Sequence, residues 1–199
     1  MATPTFTNLM EPSGRTPSRK PVMDHDGVVN NTVDYLRNKH QWRAAVETEM
    51  RLPKTSTMKK IRRADVVAWN PSDREFYIVE AKATWSDFQA DMKFMEYKDW
   101  CTYMAFAVPE ELATPARLWM EDRDGPRAFG GVGLLVIPND FGARRMVRKP
   151  ERRPMSNERY LMMIERWALS CRGRLVSARE KIDELKYYDM RLHKYEARK

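Results

Sequence analysis

Apolar residues follow two different spacings along the chain, and each spacing predicts a different kind of element. Alternation between 45 and 52 puts Val46, Thr48, Met50 and Leu52 on one face of a half-buried strand. Short apolar runs over 66–69, 76–79, 102–108 and 133–137 predict four further strands. The sequence Asn-Pro-Ser-Asp at 70–73 is a turn signal, so the two runs beside it should pair as a hairpin.

Helical signals lie on either side of this hairpin. One of the polar residues at 30–32 is suited to cap a short helix ahead of the first strand. The capping-box pattern from Ser86 to Gln89 begins a second helix that runs to Trp100. The order helix, strand, hairpin, helix, strand, strand predicts an α/β fold in which a helix crosses over between two strands of one sheet.

The two ends of the chain differ from this central part. Residues 1–26 are rich in Pro, Ser, Thr and basic residues, which predicts a disordered basic arm. Residues 154–199 carry an apolar three-four repeat, typical of a coiled-coil seam or a long helical hairpin. Both a homodimer through this helix and a helix folded back on its own domain fit the repeat. The seam consists of Leu161, Ile164, Ala168, Cys171, Leu175, Ala178, Ile182, Leu185 and Leu192.

The hairpin carries the charged residues with the clearest chemical pattern. Asp65 opens its first strand, and Glu80-Ala81-Lys82 ends its second, after a run that is apolar on both faces. Because side chains alternate along a strand, Glu80 and Lys82 share a face, and hairpin pairing brings Asp65 near both. Two carboxylates beside an ammonium group predict a Mg²⁺ site with a cation next to it. The alternative is a surface ion pair on an edge strand, although charge on a buried central strand is costly unless it is paired or binds metal.

Composition adds a partner to this picture. The chain has 36 Lys and Arg against 28 Asp and Glu, a formal charge of +8, which favours a polyanion such as DNA. Basic side chains beside a metal site are what a phosphodiester substrate needs. The candidate contacts are Lys59, Lys60, Arg62 and Arg63 ahead of Asp65, and Arg144 and Arg145 in a second basic block.

Cysteine content and hydropathy bear on the compartment. The two cysteines are too few for a disulfide framework, and the three scattered histidines give no zinc spacing. No segment reaches the length of a membrane span, and the N-terminus lacks the apolar run of a signal peptide. We therefore expect a cytoplasmic, nucleoid-associated protein without a membrane partner, or one in the host cytoplasm if the chain is phage-encoded.

Asp65 with Glu80-x-Lys82 on paired strands, followed by a capped helix, resembles the PD-(D/E)XK nuclease superfamily. More specifically, an ordered series of motifs across residues 28–168 resembles the MmcB-like DNA repair family. The series is Arg62-Arg63-Ala64-Asp65-Val66-Val67, Ile78-Val79-Glu80-Ala81-Lys82, Ser86-Asp87-Phe88 with Asp91 and Lys93, Tyr97 with Asp99-Trp100-Cys101, Phe106-Ala107-Val108-Pro109, Gly133-Leu134-Leu135-Val136 and Phe141-Gly142-Ala143. The resemblance implies a restriction-endonuclease-like mixed central sheet flanked by helices over residues 27–153.

The resemblance also implies roles in catalysis. Asp65, Glu80 and the main-chain carbonyl of Ala81 would bind Mg²⁺ or Mn²⁺. Lys82 would orient the attacking water or stabilise the transition state, with its pKa depressed by burial and by the metal. A further acidic residue often assists in this superfamily, and Glu49 is the candidate. Alternatives are Glu47 on the same strand face and Asp34 on the first helix.

The helix after Lys82 is implied to contact the substrate. Lys93 and Tyr97 lie four residues apart, hence on one face, and would reach a phosphate, whereas ordinary packing explains Tyr97 equally well. Asp87 and Asp91 fit helix capping and surface charge better than catalysis.

Taken together, these features predict a Mg²⁺-dependent deoxyribonuclease, an endonuclease in DNA repair or recombination that hydrolyses phosphodiester bonds with a metal-activated water. The alternative is a non-catalytic DNA-binding or scaffold protein on the same fold, which recruits partners through its C-terminal helix. An RNA-directed protein is a third hypothesis, but no aromatic RNA-recognition motif is present in the sequence.

Overall fold

The computed structural model describes residues 23–39, 46–52, 62–122, 129–139 and 142–172. Within these ranges the strands are β1 (Val46–Arg51), β2 (Arg63–Asn70), β3 (Glu75–Ala81), β4 (Tyr103–Pro109), β5 (Gly133–Ile137) and β6 (Arg145–Arg148). The helices are α1 (His25–Lys39), α2 (Trp85–Ala90), α3 (Phe94–Tyr97), α4 (Ala113–Glu121) and α5 (157–172). None of the helices in these ranges is long and apolar enough to cross a membrane.

The six described strands form one mixed sheet in the order β1-β2-β3-β4-β5-β6. Strands β1, β2 and β3 form an antiparallel meander, β3, β4 and β5 run parallel, and β6 returns antiparallel to β5. Helices α2 and α3 connect β3 to β4, and α4 connects β4 to β5. The predicted α/β class, the hairpin and the crossover helix are therefore confirmed.

Strand β3 lies in the middle of the core, and all seven of its residues are buried. Phe76 and Ile78 belong to the apolar cluster that includes α2, α3 and α5, whereas Tyr77 and Val79 belong to the cluster that includes α1. Because helices cover both faces, a strand that is apolar at every position is stable here. The alternative that Glu80 lies on an edge strand is wrong.

Helix α1 begins earlier than the sequence predicted. Asp24 Oδ1 accepts the N–H of Gly27 at 2.8 Å, so this aspartate caps the helix and not one of the residues at 30–32. The polar side chain of Thr32 lies inside the helix instead, where its hydroxyl donates to the carbonyl of Val28 at 2.8 Å.

Helix α2 also starts and ends at other residues than predicted. Its cap is Thr84, whose hydroxyl accepts the N–H of Asp87 at 3.2 Å, and not Ser86. The helix stops at Ala90 instead of continuing to Trp100, and α3 begins only after a break at 91–93. Because of this break, Asp91 lies outside both helices.

The described part of the C-terminal segment, α5, folds back on the sheet. Met163 and Trp167 are 0% and 5% exposed, and the Trp167 ring lies 5.8 Å from that of Trp69 and 6.1 Å from that of Phe76. Neither Met163 nor Trp167 belongs to the predicted seam, because the three-four repeat was assigned to other positions of this helix, such as Leu161, Ile164 and Ala168. Residues 157–172 therefore pack on their own domain. The coiled coil beyond residue 172 and most of the predicted disordered arm lie outside the described residues.

Candidate active site

The pairing of β2 with β3 places Asp65 across from Glu80. Val66 pairs with Val79 in antiparallel register, so Asp65 and Glu80 form the next position along the ladder. The Asp65 N–H donates to Glu80 Oε1 at 3.2 Å, and the Ala81 N–H donates to Asp65 Oδ2 at 2.9 Å. Each carboxylate is therefore held by the main chain of the opposite strand.

Glu80 is almost fully buried, with 3% of its surface exposed. Burial, followed by the negative charge of Asp65, raises the pKa of Glu80 to about 8, although Lys82 acts in the opposite direction. Lys82 offsets this effect only in part, so the two carboxylates cannot both carry a charge at neutral pH at low cost. This is the electrostatic environment that a bound metal ion would relieve.

Lys82 follows β3, and its side chain is 11% exposed. Its ammonium nitrogen lies 3.4 Å from Glu80 Oε2 and forms a second ion pair with Asp91 Oδ2. Burial alone would lower the pKa of Lys82, but Glu80, Asp91 and Asp65 together outweigh burial and raise it. Without metal, Lys82 is therefore a cation, and the depressed pKa expected from burial beside a bound metal ion stays a prediction for the metal-bound site.

Asp91 was assigned to capping and surface charge, but the structure places it in the site. Its side chain is 3% exposed, one oxygen binds Lys82, and Oδ1 accepts the N–H of Lys93 at 2.8 Å. The i, i+4 pairing with Asp87 assumed one continuous helix, whereas Asp91 has extended backbone angles at the end of α2. In the sequence, the only signal that Asp91 lies outside a helix was Asp91 itself, a polar residue that favours helix ends over helix interiors.

His25 is the second residue of the site that the sequence analysis missed. As the first residue of α1, it places Nε2 3.5 Å from Asp65 Oδ2, with its side chain 52% exposed. No local pattern links His25 to β2, because the contact depends on how α1 packs on the sheet.

These side chains line an open pocket of about 560 Å³. The described lining residues include four basic and four acidic side chains, so their formal charges cancel if His25 is neutral. The basic ones are Arg62, Arg63, Lys82 and Lys93, the acidic ones are Asp65, Glu80, Asp87 and Asp91, and His25, Ala81, Ala90 and Tyr97 complete the wall.

The predicted DNA contacts near the pocket differ in their surroundings. Arg63 and Lys93 are exposed on its wall. Arg62 donates two hydrogen bonds of 2.8 Å to Glu96, which offsets its charge. Tyr97 is 2% exposed and donates its hydroxyl to the carbonyl of Arg63 at 3.2 Å, and burial raises its pKa. The position of Tyr97 favours the packing interpretation.

Arg144 and Arg145 lie away from the pocket, at β6. Arg144 donates to Asn31 Oδ1 at 2.6 and 3.0 Å and lies 3.5 Å from Asp34 Oδ2, while Arg145 pairs with Glu110 at 3.2 Å. Because β6 is three strands from β3, roughly 14 Å of sheet separates these arginines from Glu80. Asp34, an alternative third acid, is on the same distant side and does not line the pocket.

The remaining predicted residues are described only in part. Thr48 pairs with Val66 and Met50 with Ala64, so the main chain of Glu49 lies across from Asp65. The side chain of Glu49, and Lys59 and Lys60 altogether, lie outside the described residues.

The donor set fits a small divalent cation. Asp65, Glu80 and the Ala81 carbonyl offer oxygen ligands, and Mg²⁺ typically takes one or two carboxylates with water and substrate phosphate as its other ligands. Across the described ranges, no three His, Cys, Asp or Glu side chains are arranged to hold a metal ion among themselves. A metal here would depend on the two carboxylates, the main chain and a substrate.

Comparison with known proteins agrees with the motif series. A family model described as DNA repair protein MmcB-like matches residues 24–182. A solved structure of a protein of unknown function from Silicibacter pomeroyi has a TM-score of 0.59 and 22% identity, covering 82% of this chain and 94% of that one. At that identity the likeness shows the fold alone, and no curated protein matches the sequence significantly. Because the family model spans well over half of the chain, the protein belongs to the MmcB-like family of DNA repair proteins, consistent with its placement in the PD-(D/E)XK superfamily.

Proposed function

We propose that the protein is a Mg²⁺- or Mn²⁺-dependent deoxyribonuclease that hydrolyses DNA phosphodiester bonds. The observation that carries the proposal is the convergence of Asp65, Glu80 and Lys82 in one open pocket. A metal ion held by Asp65, Glu80 and the Ala81 carbonyl would supply an activated water and neutralise charge on the phosphate.

The chain's own residues have separate roles in this proposal. The hydrogen bonds across the hairpin keep Asp65 and Glu80 in fixed positions before a ligand arrives. Lys82 is a cation, so it donates hydrogen bonds to the attacking water or to a phosphate oxygen and does not serve as a base. Burial of Glu80 and Lys82 strengthens their interactions with the reacting group.

The electrostatic balance of the pocket supports a requirement for metal. Four basic side chains face four acidic ones, and with Glu80 protonated the metal-free pocket has only about one net positive charge to attract a phosphodiester. A divalent cation would change that balance in favour of DNA. We assign Arg63 and Lys93 to phosphate contacts at the pocket, and Arg144 and Arg145 to contacts only for DNA that extends across the sheet to β6. A DNA substrate implies a nucleoid-associated protein in the cytoplasm.

The test compares DNA cleavage by the Lys82→Ala and Lys149→Ala variants. Lys149 is an exposed basic residue outside the pocket and serves as the control. Lys82→Ala should lower the cleavage rate at least about 100-fold with little change in DNA affinity, and Lys149→Ala should cut normally. Normal cutting by Lys82→Ala would refute the assigned site.

A non-catalytic DNA-binding or scaffold role is the second candidate. Two observations favour it: Lys82 already contacts both Glu80 and Asp91, and no three His, Cys, Asp or Glu side chains in the described ranges are arranged to hold a metal ion among themselves. Salt-dependent DNA binding without cleavage, by both the wild type and the Lys82→Ala variant, would support this role.

The C-terminal helix is a candidate surface for a second copy of the chain. Leu161 and Leu169 of α5 are 63% and 50% exposed, while the opposite side of this helix packs on the domain. A dimer would bury these two leucines. A monomeric mass in light scattering at micromolar concentration would refute a homodimer.

A further inference from the structure

Glu80 and Asp91 compete for one ammonium group. Lys82 Nζ lies 3.4 Å from Glu80 Oε2 and closer to Asp91 Oδ2. The exposed fractions of the three side chains are 11% for Lys82, 4% for Glu80 and 3% for Asp91. A charge in such surroundings needs a partner, because an unpaired buried charge is strongly destabilising.

The chain fixes Asp91 independently of Lys82. The Lys93 N–H donates to Asp91 Oδ1, and the backbone of Asp91 is extended where α2 ends. One carboxylate oxygen is thereby held by the turn into α3, which leaves the other oxygen directed at Lys82. The break between α2 and α3 is what brings this carboxylate into the pocket.

We propose that Asp91 is a positioning residue that draws Lys82 toward itself and so weakens the pairing of Lys82 with Glu80, whose Oε2 is the more distant oxygen at 3.4 Å. An oxygen of Glu80 then remains available to a metal ion, while Lys82 keeps protons to donate toward the substrate. Without Asp91, Lys82 pairs with Glu80 alone and competes with the metal. The inference rests on the proposed function, since it concerns the same metal site.

Manganese binding tests the inference without relying on cleavage. Asp91→Asn should weaken Mn²⁺ binding about tenfold, the lower end of the usual effect of residues that orient metal ligands. In the Lys82→Met background, Asp91→Asn should have almost no effect, because the competing ammonium is gone. If the loss persists in that background, Asp91 acts through its charge alone and the inference is overturned.

Asp87→Asn is the matched control. Asp87 lies in α2, four residues before Asp91 and on the wall of the same pocket, is exposed, and accepts a hydrogen bond of 2.7 Å from the Thr84 hydroxyl. Its substitution removes the same unit of charge without releasing Lys82, so Mn²⁺ affinity should change by less than about twofold. An equal loss in both variants would overturn the inference.

Thermal melting in the absence of metal separates this inference from the proposed function. Asp91→Asn should lower the melting temperature by roughly 5–10 °C, and adding Lys82→Met should recover most of the loss. If Asp91→Asn alone does not fold but the double variant with Lys82→Met does, this larger effect supports the inference in the same way. If the wild type binds no Mn²⁺, the proposed metal site is refuted, and the melting cycle still decides whether Asp91 holds Lys82. An unchanged melting temperature overturns the inference.

If the protein cleaves DNA, the kinetics give a third measurement. At saturating metal, Asp91→Asn should lower kcat with little change in the KM for DNA, because Lys82 is misplaced while the DNA-binding surface is intact. A raised KM with unchanged kcat would contradict a positioning role.

Discussion

Metal binding at this site should displace a proton from Glu80. Burial and the charge of Asp65 raise the pKa of Glu80 to about 8, so the metal-free pocket keeps this carboxyl protonated at neutral pH. A metal ion binds the ionised form, and binding is therefore linked to proton release. A Mn²⁺ titration at a series of pH values therefore measures this linkage.

The magnitude follows from that pKa. With a pKa of about 8, roughly nine in ten Glu80 side chains are protonated at pH 7, so each bound ion should release about 0.9 proton. At pH 9 the release should fall to about 0.1 proton, because Glu80 is then already ionised. Apparent affinity should rise about tenfold per pH unit below pH 8 and level off above it.

Calorimetric titration in buffers of different ionisation enthalpy measures the released protons directly. Glu96→Gln is the control, because Arg62 lowers the pKa of Glu96 and this carboxylate is already ionised at pH 7. The control should release as many protons as the wild type, whereas Glu80→Gln should bind weakly and release almost none. Release near zero by the wild type at pH 7 would contradict this prediction, since Glu80 would then be ionised without metal or would not bind it.

Three further predictions concern stability and DNA binding. Because folded Glu80 holds its proton up to about pH 8 while the unfolded carboxyl ionises near 4.5, metal-free stability should fall between these values by as much as about 1.4 kcal/mol per pH unit. In urea titrations, the stability of the Glu80→Gln variant should not fall with pH in this way. If the variant and the wild type show the same change of stability with pH, the raised pKa of Glu80 is contradicted. Trp167→Ala should cost about 3–5 kcal/mol in urea unfolding and Leu169→Ala under about 0.5 kcal/mol, and equal costs would mean that α5 does not pack as described. Arg63→Ala should reduce the slope of log affinity against log salt by about 0.9 on a short duplex bound at the pocket, whereas Arg145→Ala should leave it unchanged; a reversed result would move the DNA surface to β6.

Five of the six described strands and the paired carboxylates were predictable from the sequence, whereas β6 was not predicted, because its alternating basic and apolar residues were interpreted as a basic block. The turn at 70–73 and two apolar runs set the hairpin, and strand periodicity then set Glu80 across from Asp65. Lys82 is two residues after Glu80 and was therefore expected on the same strand face. These relations are local, because hairpin strands are neighbours in both sequence and space.

The remaining contacts of the site depend on tertiary packing. His25 reaches Asp65 only because α1 packs on the sheet, and a single sequence carries no signal for that contact. Asp91 reaches Lys82 because the helix breaks at 91–93, where continuous apolar spacing predicted a longer helix. The pKa of Lys82 in the metal-free site depends on packing for the same reason, since its direction follows from how many carboxylates surround the ammonium group.

Cleavage of labelled DNA is the most direct test of the proposed nuclease activity. The panel contains single strand, duplex, flap and four-way junction, each with Mg²⁺ or Mn²⁺, with the wild type beside Asp65→Ala. We expect metal-dependent cutting by the wild type that the Asp65→Ala variant lacks. Salt-dependent binding of these DNAs without cutting by either protein would contradict it.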